Sequence, residues 1–369
     1  MIDLTKKAKA AVFVGAEKPF EIKEYPLTKP ESGMATVKLI ASGICGTDLH
    51  FMHGRLATTT PTVLGHEFIG SVEAIDPKDA DEYGIHEGDT VIIDIACPCG
   101  HCPLCHDGDD ANCIHLGVTN GGSPEEAPHF HGGFAEYNYA PVKNLVKVPK
   151  ELDAVTTAVF ACAGPTTIHA VSLGEKAGND FSKANVAVVQ GLGPVGMFAV
   201  AYFASLGVKH VISVAGRANS EREERAKALG ATECYTLDKL SAEQIKEKIF
   251  EISDGLGADV VFEGSGAHQA VPQGLDWLRN RGVYLIPGQY SSQGKVEISP
   301  ERITFAALQL IGSSQYSLCD VAAYIKFLEN NPQIMPKIRA VASTYAVSDI
   351  NKAFYDLEHG KAIKALLAE

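Results

Sequence analysis

Basic residues form no run anywhere in this chain, and no uninterrupted apolar stretch reaches about 20 residues. The first absence, with a net charge of −13 and scattered Lys and Arg, excludes the footprint of a nucleic-acid or anionic-membrane binder. The second leaves nothing to span a bilayer. The start, MIDLTKKAKAAVFVG, lacks the long apolar segment of a secretion signal, so a cytoplasmic protein is expected. There is no internal repeat beyond α/β alternation and no low-complexity tract. A chain of 369 residues is enough for about two globular domains, on the usual prior of roughly 150 residues each.

Cysteine is sparse outside one place. Of nine in the chain, five fall in CPCGHCPLCHDGDDANC: Cys97, Cys99, Cys102, Cys105 and Cys113. Four of them read Cys-x2-Cys-x2-Cys-x7-Cys from Cys99. Short thiolate spacings let a loop close around one tetrahedral zinc ion, which soft sulfur ligands favour. A disulfide framework is the weaker reading, because the count is odd and no secretion signal is seen.

To about residue 160 the chain reads as short strands between Gly/Pro-rich turns, among them TVKLIASGI, GSVEAI, DTVIIDI and LVKVP. A partly open all-β barrel with loops is expected. The segment from Gly117 to Gly133 is polar and Gly-rich, which predicts a surface loop. From about residue 185 strands and helices alternate. NVAVVQ, HVISVA, ECY, ADVVFE, GVYLIPG and LQLIGS read as six strands of a parallel, doubly wound sheet, with SEREERAKALG a helix closed by Gly230. Ser241 with Gln244 three residues on forms a capping-box pattern. The tail from about Ser313 ends in an apolar strand, KALLA, which must pack elsewhere.

Gly191-Leu192-Gly193-Pro194-Val195-Gly196 lies between strand VAVVQ and a helix. Its first two glycines permit a tight turn and close approach of a pyrophosphate to backbone N–H groups; the third lets helix and strand pack. Dinucleotide binding is therefore expected. The second strand ends Val214-Ala215-Gly216-Arg217, without the acid that usually bonds the ribose 2′-OH. Small residues leave room for a 2′-phosphate and Arg217 could bind it, which favours NADP over NAD; the alternative is a solvated loop arginine. Gly264 in the GSG run and Pro287-Gly288 in PGQY sit at later strand ends, where ligands bind in this fold. A second metal-capable set is spread over CGTDLH, GHE and ACAGPTT. It comprises Cys45, His66 and Cys162, and two sulfurs with one imidazole leave a fourth zinc position open. Taken by spacing alone the set is a weak signal, since a cysteine is more often a small buried hydrophobe.

With GICGTDLH, GHEFIGSV, EGDTV, the four-cysteine lobe, HGGFAEY, ACAGPTT and GLGPVG in this order, the chain resembles the zinc-dependent medium-chain dehydrogenase/reductase family of alcohol and polyol dehydrogenases. The resemblance covers nearly the whole chain. It implies a GroES-like β-barrel catalytic domain at 1–162 and 310–369, and a Rossmann domain at 163–309. It further implies two zinc ions per chain. The catalytic one would lie on Cys45, His66 and Cys162 with Glu67 adjacent, and the structural one on Cys99, Cys102, Cys105 and Cys113. Asp48 would orient His66. Thr47 would contact the substrate oxygen, and His50 would relay its proton. Lys364 would lie near the cofactor pyrophosphate, or else be a solvated lysine on an edge strand.

The implied reaction passes hydride between a secondary alcohol or polyol and NAD(P), in a homo-oligomer, dimer or tetramer. Two alternatives stay open: an NADPH-dependent carbonyl reductase, and a zinc- and nucleotide-binding relative without turnover. Loop residues His53, Asn120, His129, His131 and Glu136 either meet a hydroxylated substrate or face water.

Overall fold

The computed structural model describes residues 2–289, 291 and 294–369. The chain forms two compact units, Met1–Cys162 with Tyr316–Glu369, and Ala163–Gln315. The second boundary falls after Gln315, where the sequence reading placed it after residue 309. The reason is the strand Gln309–Gly312, which pairs in parallel with Leu278–Ile286 and so stays with the nucleotide-type sheet.

In the first unit the long strand Met34–Gly43 is the organiser. It pairs antiparallel with Glu67–Ile75, with Tyr137–Pro141 and with the C-terminal Lys364–Ala368. Thr90–Ile93 and Leu145–Lys147 continue the sheet on one side, and Ala342–Tyr345 on the other. A smaller sheet holds Glu21–Pro26, Lys7–Phe13 and Thr62–Val63. These runs are rich in Val, Ile and Ala and mostly buried, which suits strands packed on a shared core. Phe20, Phe134 and Phe354 meet there with ring centroids 4.9–6.1 Å apart, joining the N-terminal hairpin to the C-terminal helix. The apolar strand KALLA therefore has a defined place: it is inserted into the sheet, not laid on its edge.

The second unit has a six-stranded parallel sheet in the order Glu233–Thr236, His210–Ala215, Val186–Gln190, Ala258–Glu263, Leu278–Ile286, Gln309–Gly312. Numbered along the unit this is 3-2-1-4-5-6, so the strand order reverses beside Val186–Gln190 and ligands are expected outside its carboxyl end. That strand is buried along its whole length, and the helix Pro194–Ser205 that follows is apolar on nearly every face. Asn219 caps the helix Ser220–Leu229 by accepting from the Arg222 amide, and Gly230 ends it at φ +122°. The capping box at Ser241 and Gln244 is formed as expected.

Candidate metal centres and nucleotide loops

Gly100, at φ +76°, turns the chain so that Cys99, Cys102, Cys105 and Cys113 converge, their sulfurs all within 4.8 Å of one another. A tetrahedral zinc with Zn–S bonds of about 2.3 Å separates its sulfurs by roughly 3.8 Å. The distances here are 3.5 Å (Cys102–Cys105), 3.9 Å (Cys102–Cys113) and 4.0 Å (Cys99–Cys105). Backbone amides of Cys99 and His115 point at the Cys113 sulfur, as befits a thiolate. Cys97 stays outside, its thiol donating to Asn144 Oδ1 at 3.6 Å while burial pushes its pKa up.

A second group forms where three segments of the first unit meet. Cys45 stands at the N-cap of the helix Gly46–Met52, His66 precedes the strand Glu67–Ile75, and Cys162 ends the N-terminal segment. One ligand atom each from Cys45, His66, Glu67 and Cys162 lies within 4.8 Å of the others. The two sulfurs are 3.9 Å apart, again a separation that zinc would impose. The donor set fits the metal: two soft sulfurs, an imidazole and a carboxylate in a buried place. Cys162 as hydrogen-bond partner pulls the Cys45 thiol far below its usual range, with the charge of His66 helping.

Asp48 Oδ2 accepts from the Cys45 amide at 2.8 Å, and its Oδ1 faces His66 Nδ1 at 3.7 Å, an electrostatic contact longer than a hydrogen bond. Burial opposes a charge on His66, yet Asp48 and Cys45 carry its pKa up to about 10. Thr47 Oγ1 lies 3.8 Å from the Cys45 sulfur. His50, on the same helix and half-buried, has its pKa lowered first by burial and then by Arg55.

Lys364 departs from expectation. Its side chain is 1% exposed; Nζ donates to the Ile44 carbonyl at 2.9 Å and pairs with Glu67 Oε2. It is not a solvated edge lysine. The strand it begins lies inside the sheet, so the side chain turns inward beneath Glu67. Room for the pair comes from Gly43, where a Cβ would stand 2.9 Å from Lys364 Cε and closer still to the carboxylate. Burial raises Glu67 to about 7 even with this cation beside it.

Most of the polar loop residues are spoken for. His53 bridges Glu17 (3.1 Å) and Glu358 (2.7 Å), His129 stacks on Tyr25, and Glu136 accepts from the Lys9 amide. Asn120 donates to the Gly65 carbonyl at 3.4 Å, and His131 packs flat on Gly122.

Two buried groups gave no sequence signal. Tyr316 has its phenol held far above the usual range by burial and by the nearby Cys162, Asp94 and Glu67. Asp94 is 1% exposed, its Oδ2 has no hydrogen-bond partner among the described residues, and burial pushes its pKa up to about 7. A carboxyl raised in the fold binds its proton better there than in the unfolded chain. Its contribution to stability therefore falls as pH climbs from about 4 to about 7 and stays low above that. Asp94→Asn should resist urea better than the parent by about 1–3 kcal/mol at pH 8, with the gap closing towards pH 5. A gap independent of pH would contradict this.

In the second unit the loop 191–196 has the expected shape. Gly191 adopts φ +96°, and a Cβ there would stand 2.8 Å from Ser265 Cα; one on Gly196 would meet the Gly191 carbonyl. Gly193 caps the helix, with Pro194 and Val195 in its first turn. This is a cradle that side chains would fill, and it suits a pyrophosphate at a helix N-terminus. Arg222, which the sequence reading passed over, donates to the Leu192 carbonyl at 2.7 Å and so places a cation against the loop. Ala215 is half-buried, while Gly216 and Arg217 are exposed at the end of the second strand. Gly264, Pro287 and Gly288 stand at the ends of the fourth and fifth strands; Tyr290 lies outside the described residues.

Comparison with known proteins finds a match in each half of the chain. Residues 31–150 match the model of the alcohol dehydrogenase GroES-like domain, and residues 194–330 that of the zinc-binding dehydrogenase. The chain is 31% identical to a sorbitol dehydrogenase of Halalkalibacterium halodurans over 94% of its own length and 95% of the relative's. It is 28% identical to the 5-exo-hydroxycamphor dehydrogenase of Pseudomonas putida, over 98% of each. Among solved structures, an alcohol dehydrogenase from Thermotoga maritima superposes with a TM-score of 0.88 at 26% identity, covering 98% of this chain and 99% of that one. A zinc-binding dehydrogenase of Sinorhizobium meliloti bound to NADP gives 0.82 at 25% identity, covering 99% and 100%.

Proposed function

Since the chain belongs to the zinc-dependent medium-chain alcohol and polyol dehydrogenases, we propose that it exchanges hydride between a secondary alcohol or polyol and NADP, in preference to NAD. The observation that carries the reading is the convergence of Cys45, His66 and Cys162, whose donor set and sulfur spacing suit a zinc with one position left for substrate. Bound there, zinc would supply a Lewis acid that makes an alcohol hydroxyl acidic near neutrality.

The remaining steps belong to the chain. Thr47, beside the Cys45 sulfur, is the hydroxyl placed to take the substrate proton. His50, kept neutral at pH 7 by burial and by Arg55, is the base that receives it in turn. Asp48 holds its negative charge towards His66 and fixes the Cys45 amide, so the ligand-bearing turn is rigid. Glu67 is held by Lys364 as an acceptor in reserve. The four cysteines of the lobe would fill a second zinc completely and leave no position for substrate, which makes that site structural.

Support for NADP is the missing acid at the end of the second strand and the exposed Arg217 there. The two cysteine-bearing metal groups, which need their thiolates reduced, support a reducing, cytoplasmic setting. Among the described residues the outer strand Gln309–Gly312 is unpaired on one side, and Leu310 and Phe305 are exposed, which supports a homo-oligomer, dimer or tetramer.

The test is a panel of secondary alcohols and polyols, read as NADPH or NADH absorbance. Turnover on at least one, with kcat/KM higher for NADP, is expected. Arg217→Asp should cut the NADP-to-NAD preference by about tenfold or more, the worth of one charge-assisted contact. An unchanged ratio would remove Arg217 from the cofactor site, and no turnover with any member would overturn the substrate class.

A further inference from the structure

Three backbone loops meet at the carboxyl ends of the strands in the second unit: 191–196, 264–266 and 287–289. They approach too closely for side chains to intervene. A Cβ on Gly266 would lie 2.9 Å from the Gly288 carbonyl, and one on Gly288 would lie 2.5 Å from Glu263 Oε2. Glycine backbone of this kind has many alternatives, so something must hold it.

The holder is Glu263, the last residue of the strand Ala258–Glu263 and fully buried. Its Oε1 accepts from the Ser265 amide (2.8 Å), the Ser265 hydroxyl (2.6 Å) and the Gly266 amide (2.9 Å). Its Oε2 accepts from Gln289 Nε2 at 3.0 Å, and its main-chain carbonyl accepts from the Gly288 amide at 2.9 Å. One carboxylate therefore fixes both loops, with four charge-assisted bonds from neutral donors. Gln289 extends the tie, donating also to the Ala267 carbonyl at 3.2 Å.

The strand order says what these loops are for. Strands two and three lie on one side of the first strand, where the adenosine half is read, and strands four and five lie on the other. We propose that Glu263 and Gln289 are positioning residues that set the loops receiving the nicotinamide half of the cofactor. The inference rests on the dinucleotide reading above. The adenosine half, held by the loop 191–196 and the second strand, should not depend on them.

Glu263→Gln keeps the shape but turns an N–H pair towards Gln289 Nε2, leaving two donors face to face. Calorimetric titration with NADP should then show Kd raised about tenfold, the consequence of a buried amide donor left without an acceptor at position 263. Adenosine 2′,5′-bisphosphate, which carries only the adenosine half, should bind within about twofold of the parent by the same reckoning. Gln289→Met, which leaves the three bonds to Oε1 intact, should weaken NADP about threefold and serves if the first variant does not fold. The double variant should bind within about twofold of Glu263→Gln alone, because the bond between the two residues is already lost there and only the contact of Gln289 with Ala267 remains to lose.

Equal weakening of both ligands would reduce Glu263 to general scaffolding and overturn the proposal. So would unchanged NADP binding in Gln289→Met, or additive losses in the double variant. A parent chain binding neither ligand would instead overturn the dinucleotide reading on which it stands.

Discussion

Replacing Cys45 with Ala is expected to lower kcat/KM by at least about a thousandfold, because several kcal/mol of charge stabilisation leave with the metal. The change removes one sulfur from the group formed with His66, Glu67 and Cys162. Two protein ligands and a carboxylate already engaged by Lys364 are a poor remaining set. The fold should persist, since Cys45 caps a seven-residue helix and the Asp48 bond to its amide needs no side chain. Binding of NADP should persist too, because the glycine loop 191–196 belongs to the other unit. Zinc content should fall by one ion per chain, the lobe around Cys99 keeping its own. Turnover that survives in this variant, at any comparable rate, would move the chemistry elsewhere.

The second large effect lies under the metal group. Lys364→Met should cost about 3–5 kcal/mol of stability at pH 8.5, the usual result of removing one partner from a buried ion pair. Both side chains are 1% exposed, so no water takes over the role of Nζ. Glu67 is already raised to about 7 by burial, and loss of the lysine raises it further. A raised carboxyl gives stability that declines with rising pH, through the range from its unfolded pKa to its folded one. The defect should therefore be smaller at pH 6, where Glu67 takes up a proton. Glu67→Gln in the same chain should recover most of the loss, because no charge then remains buried. Urea denaturation at the two pH values measures all of this. A single variant as stable as the parent at pH 8.5 would show that the pair is dispensable.

What could be read without coordinates was whatever depends on local spacing. The lobe cysteines sit within one loop, so the intervals between them report geometry directly. The glycines of 191–196 report a turn and a close approach that other residues cannot make. Cys45, His66 and Cys162 are far apart in the chain; ligand chemistry grouped them, but only resemblance to a family favoured that grouping over three unrelated buried residues. Lys364, whose ion pair had no sequence signal, lies 297 positions from its partner Glu67. Its meaning comes from where a C-terminal strand enters the sheet, which no periodicity encodes. Glu263 went unnoticed for a related reason: its donors come from two loops, one of them beyond the next strand. Asp94 and Tyr316 look like ordinary strand and loop residues until burial is known.

The central claim is that a zinc ion on Cys45, His66 and Cys162 is what allows this chain to oxidise an alcohol. Zinc content and the initial rate of NADPH formation, measured on one preparation before and after chelation, test it most directly. Two ions per chain, loss of turnover as metal is withdrawn, and recovery on adding zinc back are the predicted result. Undiminished turnover in protein stripped of zinc would contradict it.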